Sequence, residues 1–156
     1  MKEINEKGLS SKERKELRDY IKDAMCIKYS KNQGIYYYYG SKVNDIESST
    51  NVFAYLKKTN PRKRFVFLCY LREDRPERTE SFLPFFETIY KDDRVERIYF
   101  TGSGLGHVKD DNKVIKKKNL THREVIEFCR KRKLVLFTAV NGVNDFIQKL
   151  ETILEK

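Results

Sequence analysis

The sequence predicts an α/β domain built on a mostly parallel sheet with helices on both faces. Two observations support this prediction. Segments such as RFVFLCYL and KLVLFTAVNG are almost continuously apolar, which is typical of strands buried on both faces. Between such segments lie stretches whose apolar residues recur at helical spacing, so strands and helices alternate along the chain. Helical crossovers of this kind connect parallel strands.

The first elements lead into this alternation. Ser10 or Ser11 can cap a helix that ends near Cys26, and its few apolar residues predict a peripheral position. IYYYYG is then a β-prone aromatic run ended by Gly40, and the polar NDIESST leads into a helix at NVFAYLKK. We therefore expect an N-terminal helix and linker over residues 1–34 and the α/β domain over residues 35–156.

The same order continues to the end of the chain. RFVFLCYL is a strand, REDRPERT a polar loop, and ESFLPFFETIY a helix that contains Pro84. RVERIYFTG is the next strand, and GSGLGHVKDDNKVIKKKN is rich in loop-forming residues. A helix at LTHREVIEFCRKR, which Thr121 can cap, precedes the strand KLVLFTAVNG and the closing helix VNDFIQKLETILEK.

Length and composition are those of one domain inside the cell. A chain of 156 residues fits one hydrophobic core, since single cores commonly close at roughly 100 to 200 residues. Cys26, Cys69 and Cys129 are far apart and outside any CxxC pattern, which argues against disulfides and zinc. No stretch approaches the roughly 20 apolar residues of a membrane span. We expect a cytoplasmic location, with a peripheral position at the inner face of the membrane also open.

The charge of the chain predicts an acidic partner. It carries 33 Lys and Arg against 23 Asp and Glu, a net charge of +10, and such a field attracts polyanions. Nucleic acid, anionic lipid, nucleotides and an acidic polymer all remain open on charge alone. The basic runs KVIKKKN and CRKRK are typical of solvated surfaces but can also follow a polyanion. Likewise, Tyr36 to Tyr39 are either alternating strand residues or a surface for stacking bases.

Candidate binding residues follow the predicted strands, at the sheet edge where α/β proteins bind ligands. Asp74, Arg75 and Arg78 lie just past a buried strand, where guanidinium groups can clamp a carboxylate or phosphate. The alternative is a solvated helix start whose acidic residues favour the helix dipole.

A second candidate is the glycine-rich GSGLGH segment, which contains Gly102, Gly104 and His107. Glycines let backbone amides approach an anion closely, but the spacing is not that of a dinucleotide-binding loop, and a flexible turn is the alternative. GIYYYYGSK also lacks the spacing of a phosphate-binding loop. With only two histidines in the chain, no His-rich metal centre is expected.

Four segments, taken in order, resemble one known family. VNDIESSTNVFAYL is similar to an Asn-Asp-Pro-Glu-Ser-Thr segment before a helix, with Ile46 in place of the proline. FLCYLREDRPERTESFLPFF is similar to a strand followed by Asp-Arg-Pro-x-Arg-Thr. RVERIYFTGSG resembles the family's next strand and its glycine turn. LVLFTAVNGVNDFIQKLE resembles the closing strand, the Asn-Gly turn and the final helix, although the family's second glycine after that turn is missing. Over residues 35–156 the chain thus resembles the C-terminal domain of the Mur-ligase-like poly-γ-glutamate (capsule) synthase family.

The resemblance implies a Rossmann-like C-terminal domain of an ATP-dependent, ADP-forming amide ligase that makes poly-γ-glutamate. Such enzymes convert a carboxylate into an acyl phosphate, which the amine of an incoming glutamate attacks. The catalytic candidates are Asp74, Arg75 and Arg78. The residues that would contact substrate or nucleotide are Asn44, Asp45, Glu47, Ser48, Thr79, Thr101, Gly102, Gly104, His107 and Asn141.

The family's P-loop ATPase domain lies upstream of this region, and phosphoryl transfer needs its Lys and Mg²⁺ ligands. The resemblance therefore implies that ATP and Mg²⁺ bind only together with a P-loop ATPase domain or subunit, and that this chain is not active alone. A membrane-embedded synthase subunit and the acidic polymer are further expected partners. No metal ligands are expected in the chain itself.

Two other functions stay open on the sequence. A nucleic-acid-binding module is consistent with the charge of +10, the basic runs and the tyrosine-rich strand. A TIR-like signalling domain is the third hypothesis, based on YLREDRPERTESFL, but too little chain follows that strand to complete such a fold.

Overall fold

One mixed sheet forms the centre of the protein in the computed structural model, which describes residues 8–43 and 45–156. The described residues form six strands in the order β1-β2-β6-β3-β4-β5. Their bounds are β1 Lys28–Ser30, β2 Ile35–Tyr38, β3 Phe65–Leu71, β4 Val95–Gly102, β5 Val114–Lys116 and β6 Val135–Val140. Only β1 runs antiparallel to its neighbour, so the predicted mostly parallel sheet is confirmed.

Five helices accompany these strands within the described ranges: α1 Ser11–Ala24, α2 Ile46–Thr59, α3 Pro76–Lys91, α4 His122–Arg132 and α5 Asp145–Glu155. Ser10 and Thr121 each accept a backbone N–H in a capping box, as the positions of these hydroxyl residues predicted. Each of these helices is too short or too polar to cross a lipid bilayer.

The helices cover both faces of the sheet because strand side chains alternate between them. Phe65 and Phe67 of β3 face α2 and α3, where an aromatic core forms with Phe53 and Phe85. The intervening residues of β3 and β6 pack instead against apolar side chains of α4 and α5. The predicted two-sided packing is therefore confirmed. α1 buries no side chain and is peripheral, as expected.

Two short strands lie where the sequence predicted no strand. Lys28–Ser30 forms β1 within the predicted N-terminal helix and linker, and Val114–Lys116 forms β5 within the predicted loop. Each has three residues at an edge of the sheet, so each is held by pairing with one neighbour rather than by its own apolar pattern.

The tyrosine run mostly forms strand β2. Tyr37 and Tyr38 are 4% and 2% exposed, so these two rings belong to the core and are closed to nucleobases. This position matches the interpretation of the run as alternating strand residues.

Candidate functional site

The carboxyl ends of the parallel strands meet at one edge of the sheet, which we call the carboxyl edge. β2, β6, β3 and β4 end there at Tyr38, Val140, Leu71 and Gly102, and α2, α3 and α5 begin beyond β2, β3 and β6. Each helix presents unpaired backbone N–H groups at its first turn. The edge therefore carries partial positive charge before any side chain is counted.

The segment Asp74–Thr79 connects β3 to α3 at this edge. Arg75 is the N-cap residue of α3, and Pro76 is its first residue, where proline costs no hydrogen bond. Arg75 is exposed, Arg78 is partly buried, and Thr79 is buried at 1% exposure. Two guanidinium groups thus add to the positive end of the helix, an arrangement suited to binding a carboxylate or phosphate.

Asp74 is held by a neighbour that the sequence analysis did not select. The Arg72 guanidinium donates two hydrogen bonds to its carboxylate, Nε to Oδ1 at 2.8 Å and Nη2 to Oδ2 at 2.5 Å. These bonds lower the pKa of Asp74 below its usual value, since they favour the ionised form. The pair therefore fixes the conformation of the loop between β3 and α3.

The substitution Arg72→Gln is expected to raise the pKa of Asp74 toward its ordinary value, because the guanidinium that favours the carboxylate is removed. NMR titration of the carboxyl carbon measures this shift. With the pKa lowered in the folded state, the pair's contribution to stability is present above the ordinary carboxyl pKa and is lost as the pH falls through the folded value. Arg123→Gln, which affects a different pair, is the control and leaves Asp74 unchanged.

The loop after β4 is attached to the loop after β3. Gly102 has φ 102°, and a Cβ there would lie 2.1 Å from the carbonyl oxygen of Leu71. The amide of Gly104 donates to the same oxygen at 3.3 Å, and the amide of Glu73 donates to the Ser103 hydroxyl at 3.0 Å. The glycines thus allow close contact between two loops of the protein itself.

Asn141 links the end of β6 to β3 and α3. Its backbone is left-handed, with φ 69°, and its Nδ2 donates to Tyr70 O and to Thr79 Oγ1, both at 3.3 Å. The residue is 6% exposed, and its Oδ1 is buried without a hydrogen-bond partner among the described residues. A buried acceptor in this state can receive a hydrogen bond from a ligand. Thr101 is buried beside this group, paired with Tyr70 in the sheet.

The residues before α2 form a separate group at the end of β2. Asp45 caps the helix: Oδ1 accepts from Ser48 N at 2.7 Å and Oδ2 from Ser48 Oγ at 2.8 Å, which lowers the pKa of Asp45. Ser48 also lines a cavity of about 410 Å³ beside Tyr38, and Glu47 is exposed in the first turn. Asn44 lies outside the described residues.

The structure thus brings some of the sequence-predicted residues together and separates others. Adjoining strand ends carry Asp74, Arg75, Arg78, Thr79, Thr101, Gly102, Gly104 and Asn141. The Asp45–Ser48 group follows β2, and β6 lies between β2 and β3. One strand therefore separates this group from the residues that follow β3. His107 is exposed at the end of a short 3-10 turn, Leu105–His107, beyond the glycines.

A buried carboxylate at this edge was missed by the sequence analysis. Glu151 of α5 is 4% exposed and accepts hydrogen bonds from Thr138 Oγ1 at 2.5 Å and Ser41 Oγ at 2.6 Å. Thr138 Oγ1 in turn accepts from the amide of Gly40 at 3.0 Å. This network holds the turn after β2 against β6. The signal in the sequence is the position of Glu151 four residues after Ile147, on the apolar side of the helix.

Comparison with known proteins identifies a family. Residues 25–155 match the family model described as the poly-gamma-glutamate synthase CapB C-terminal domain. No curated protein and no solved structure matches the chain. The matched range spans most of the chain and contains the residues of the carboxyl edge. With its parallel sheet and ordered motifs, the chain belongs to the poly-gamma-glutamate synthase CapB C-terminal domain family.

Proposed function

We propose that this domain contacts substrate and nucleotide in an ATP-dependent, ADP-forming amide ligase that makes poly-γ-glutamate. The observation that carries the proposal is the placement of Arg75 and Arg78 at the amino-terminal end of α3, on the carboxyl edge of a parallel sheet. Membership of the family supports poly-γ-glutamate as the product. Two guanidinium groups at a helix N-terminus are suited to binding a carboxylate or an acyl phosphate.

In this proposal the residues of the site have separate roles. The guanidinium of Arg75, exposed at the N-cap, and that of Arg78, one turn later, hold the oxygens of the carboxylate or acyl phosphate. The Oδ1 of Asn141 accepts a hydrogen bond from the substrate, since it has no partner among the described residues. Asp74 is a positioning residue, because its carboxylate is bound by Arg72.

ATP and Mg²⁺ would be held mainly by a P-loop ATPase domain or subunit. The described residues contain no group of three or more His, Cys, Asp or Glu that could hold a metal ion. The carboxyl edge fits one side of a shared site, where Arg75 and Arg78 face anionic oxygens and the ATPase supplies Lys and Mg²⁺ ligands. When bound, ATP provides the phosphoryl group that activates the carboxylate.

The test is ligase activity of the assembled enzyme carrying Arg75→Ala and Arg78→Ala together. We expect kcat/KM for glutamate incorporation to fall by about a hundredfold or more, since two charge-assisted contacts to the reacting group are lost. ADP release and polymer formation are measured with the same ATPase partner. Arg75→Lys keeps the charge but loses the planar fork, so an intermediate loss is expected.

The matched control is Arg62→Ala with Arg14→Ala, which removes two exposed arginines outside the site. Its activity is expected to equal that of the unmodified enzyme. Circular dichroism and the urea midpoint of each variant establish that the fold is intact. Unchanged turnover in a folded Arg75→Ala, Arg78→Ala enzyme contradicts the proposal.

A further inference from the structure

A basic groove lies on the opposite side of β4 from the aromatic core, between the β4–β5 edge and α4. Its cavity is about 420 Å³. Arg97 lines the cavity from β4, and Lys117 lines it from the residue after β5. Its α4 side is lined by Phe128, Lys131 and Arg132. None of these residues is part of the carboxyl-edge site. We call this cavity the α4 groove.

The α4 groove has an excess of positive charge, since four cationic side chains and two carboxylates line it. Both carboxylates are already paired: Glu124 with Lys117 and with the cap residue Thr121, and Glu127 with Arg123 at 2.8 Å. Among the described residues, Arg97, Lys131 and Arg132 form no ion pair with a carboxylate. Three cations therefore remain to attract an anion.

Arg97 also has a donor that lacks an acceptor. Its Nε is buried and makes no hydrogen bond to the described residues, although the side chain also bonds the Tyr99 phenol. Buried polar atoms in proteins are almost always paired, so this N–H is a donor that an acceptor from outside the chain could satisfy. Carboxylate oxygens do so readily for a guanidinium.

Two aromatic residues, Tyr99 and Phe128, line the groove. Tyr99 is 5% exposed, and Phe128 is covered by cations. The guanidinium carbons of Arg97 and Arg132 lie 4.0 and 4.2 Å from the centre of the Phe128 ring. Two guanidinium groups over one ring leave little of its surface for a nucleobase, and stacking on aromatic rings is the usual support for single-stranded nucleic acid. The ring instead fixes two planar cations that can each bind a carboxylate.

We propose that the α4 groove holds a stretch of the polycarboxylate chain, as a second binding site beside the ligase site. This inference rests on the proposed function, which supplies an acidic polymer. The groove extends from Lys117, just past the carboxyl end of β5, to Arg132 at the last residue of α4. From Glu124 to Arg132 the helix rises roughly 12 Å. A chain that leaves the carboxyl edge beside α4 thus meets Lys117 first and then Lys131, Arg132 and Arg97.

The experiment is fluorescence anisotropy of a labelled γ-linked glutamate oligomer with the full chain, without ATP. Lys131→Ala with Arg132→Ala is expected to weaken binding at least about tenfold, because two cations facing the groove are lost. The matched control is Lys58→Ala with Arg62→Ala, which removes one Lys and one Arg at the end of α2, on the other face of the sheet. It is expected to change the affinity less than about twofold.

Three outcomes overturn the inference: no binding of the oligomer at low salt, equal weakening by both double variants, or tighter binding of a single-stranded oligonucleotide that displaces the oligomer from the groove. Arg97→Lys tests the stacked guanidinium with the charge kept and is expected to weaken binding as well. The assay needs no ATPase partner. It can therefore fail while ligase activity still depends on Arg75 and Arg78, and the two proposals are tested separately.

Discussion

Replacing Gly102 by alanine is expected to destabilise the folded protein by about 4 kcal/mol, through backbone strain and overlap together. Gly102 has φ 102°, which residues with a Cβ rarely adopt, and the new methyl carbon would lie 2.1 Å from the carbonyl oxygen of Leu71. That oxygen belongs to the backbone at the end of β3, so the loops after β3 and β4 must separate. Urea unfolding at equilibrium measures the change.

The control for this prediction is Gly106→Ala in the same loop. A Cβ at Gly106 meets no atom within 4 Å, so its effect is expected to stay within about 0.5 kcal/mol. Equal stability of the two variants contradicts the close contact between the loops. Because Gly104 also contacts Arg72 and Leu71, we further expect Gly102→Ala to disturb the segment that carries Arg75.

The second large effect is expected at Glu151, where alanine costs about 3 kcal/mol of unfolding free energy. The carboxylate is 4% exposed and accepts from the hydroxyls of Thr138 and Ser41. Its removal leaves the buried Thr138 hydroxyl and the half-buried Ser41 hydroxyl without their acceptor. The turn at Gly40 then loses its attachment to α5 through Thr138. Urea midpoints and hydrogen exchange at the Gly40 amide measure the two consequences.

Two variants separate the hydrogen bonds from the general effect of losing a charge. Glu151→Gln keeps one acceptor oxygen, so we expect a loss of about 1 kcal/mol. Glu80→Ala, at an exposed residue of α3, is expected to cost less than about 1 kcal/mol. If Glu151→Ala is no more destabilising than Glu80→Ala, the buried network does not hold this turn.

The family and the main elements could be predicted from the sequence. Helix caps at Ser10 and Thr121, the apolar strand at Phe65–Leu71 and the alternation of elements are local patterns, and the structure confirms them. β1 and β5 could not be predicted, because strands of three residues at the sheet edges depend on the neighbour that pairs with them.

The candidate site was predictable only in its position. Arg75 and Arg78 follow a recognisable strand, so their place at the carboxyl edge follows from the parallel fold. The hydrogen bonds from Arg72 to Asp74 and the capping role of Asp45 were not predicted, since each depends on the conformation of one loop.

Local sequence was sufficient for the class of fold, the order of its elements and the net positive charge, because spacing and composition can be read without the tertiary structure. The insertion of β6 between β2 and β3 is a property of the folded chain alone. It brings Asn141 to Thr79 and Glu151 to Ser41, residues that are 62 and 110 positions apart. The stacking of Arg97 on Phe128 likewise depends on where α4 crosses β4, which no local pattern encodes.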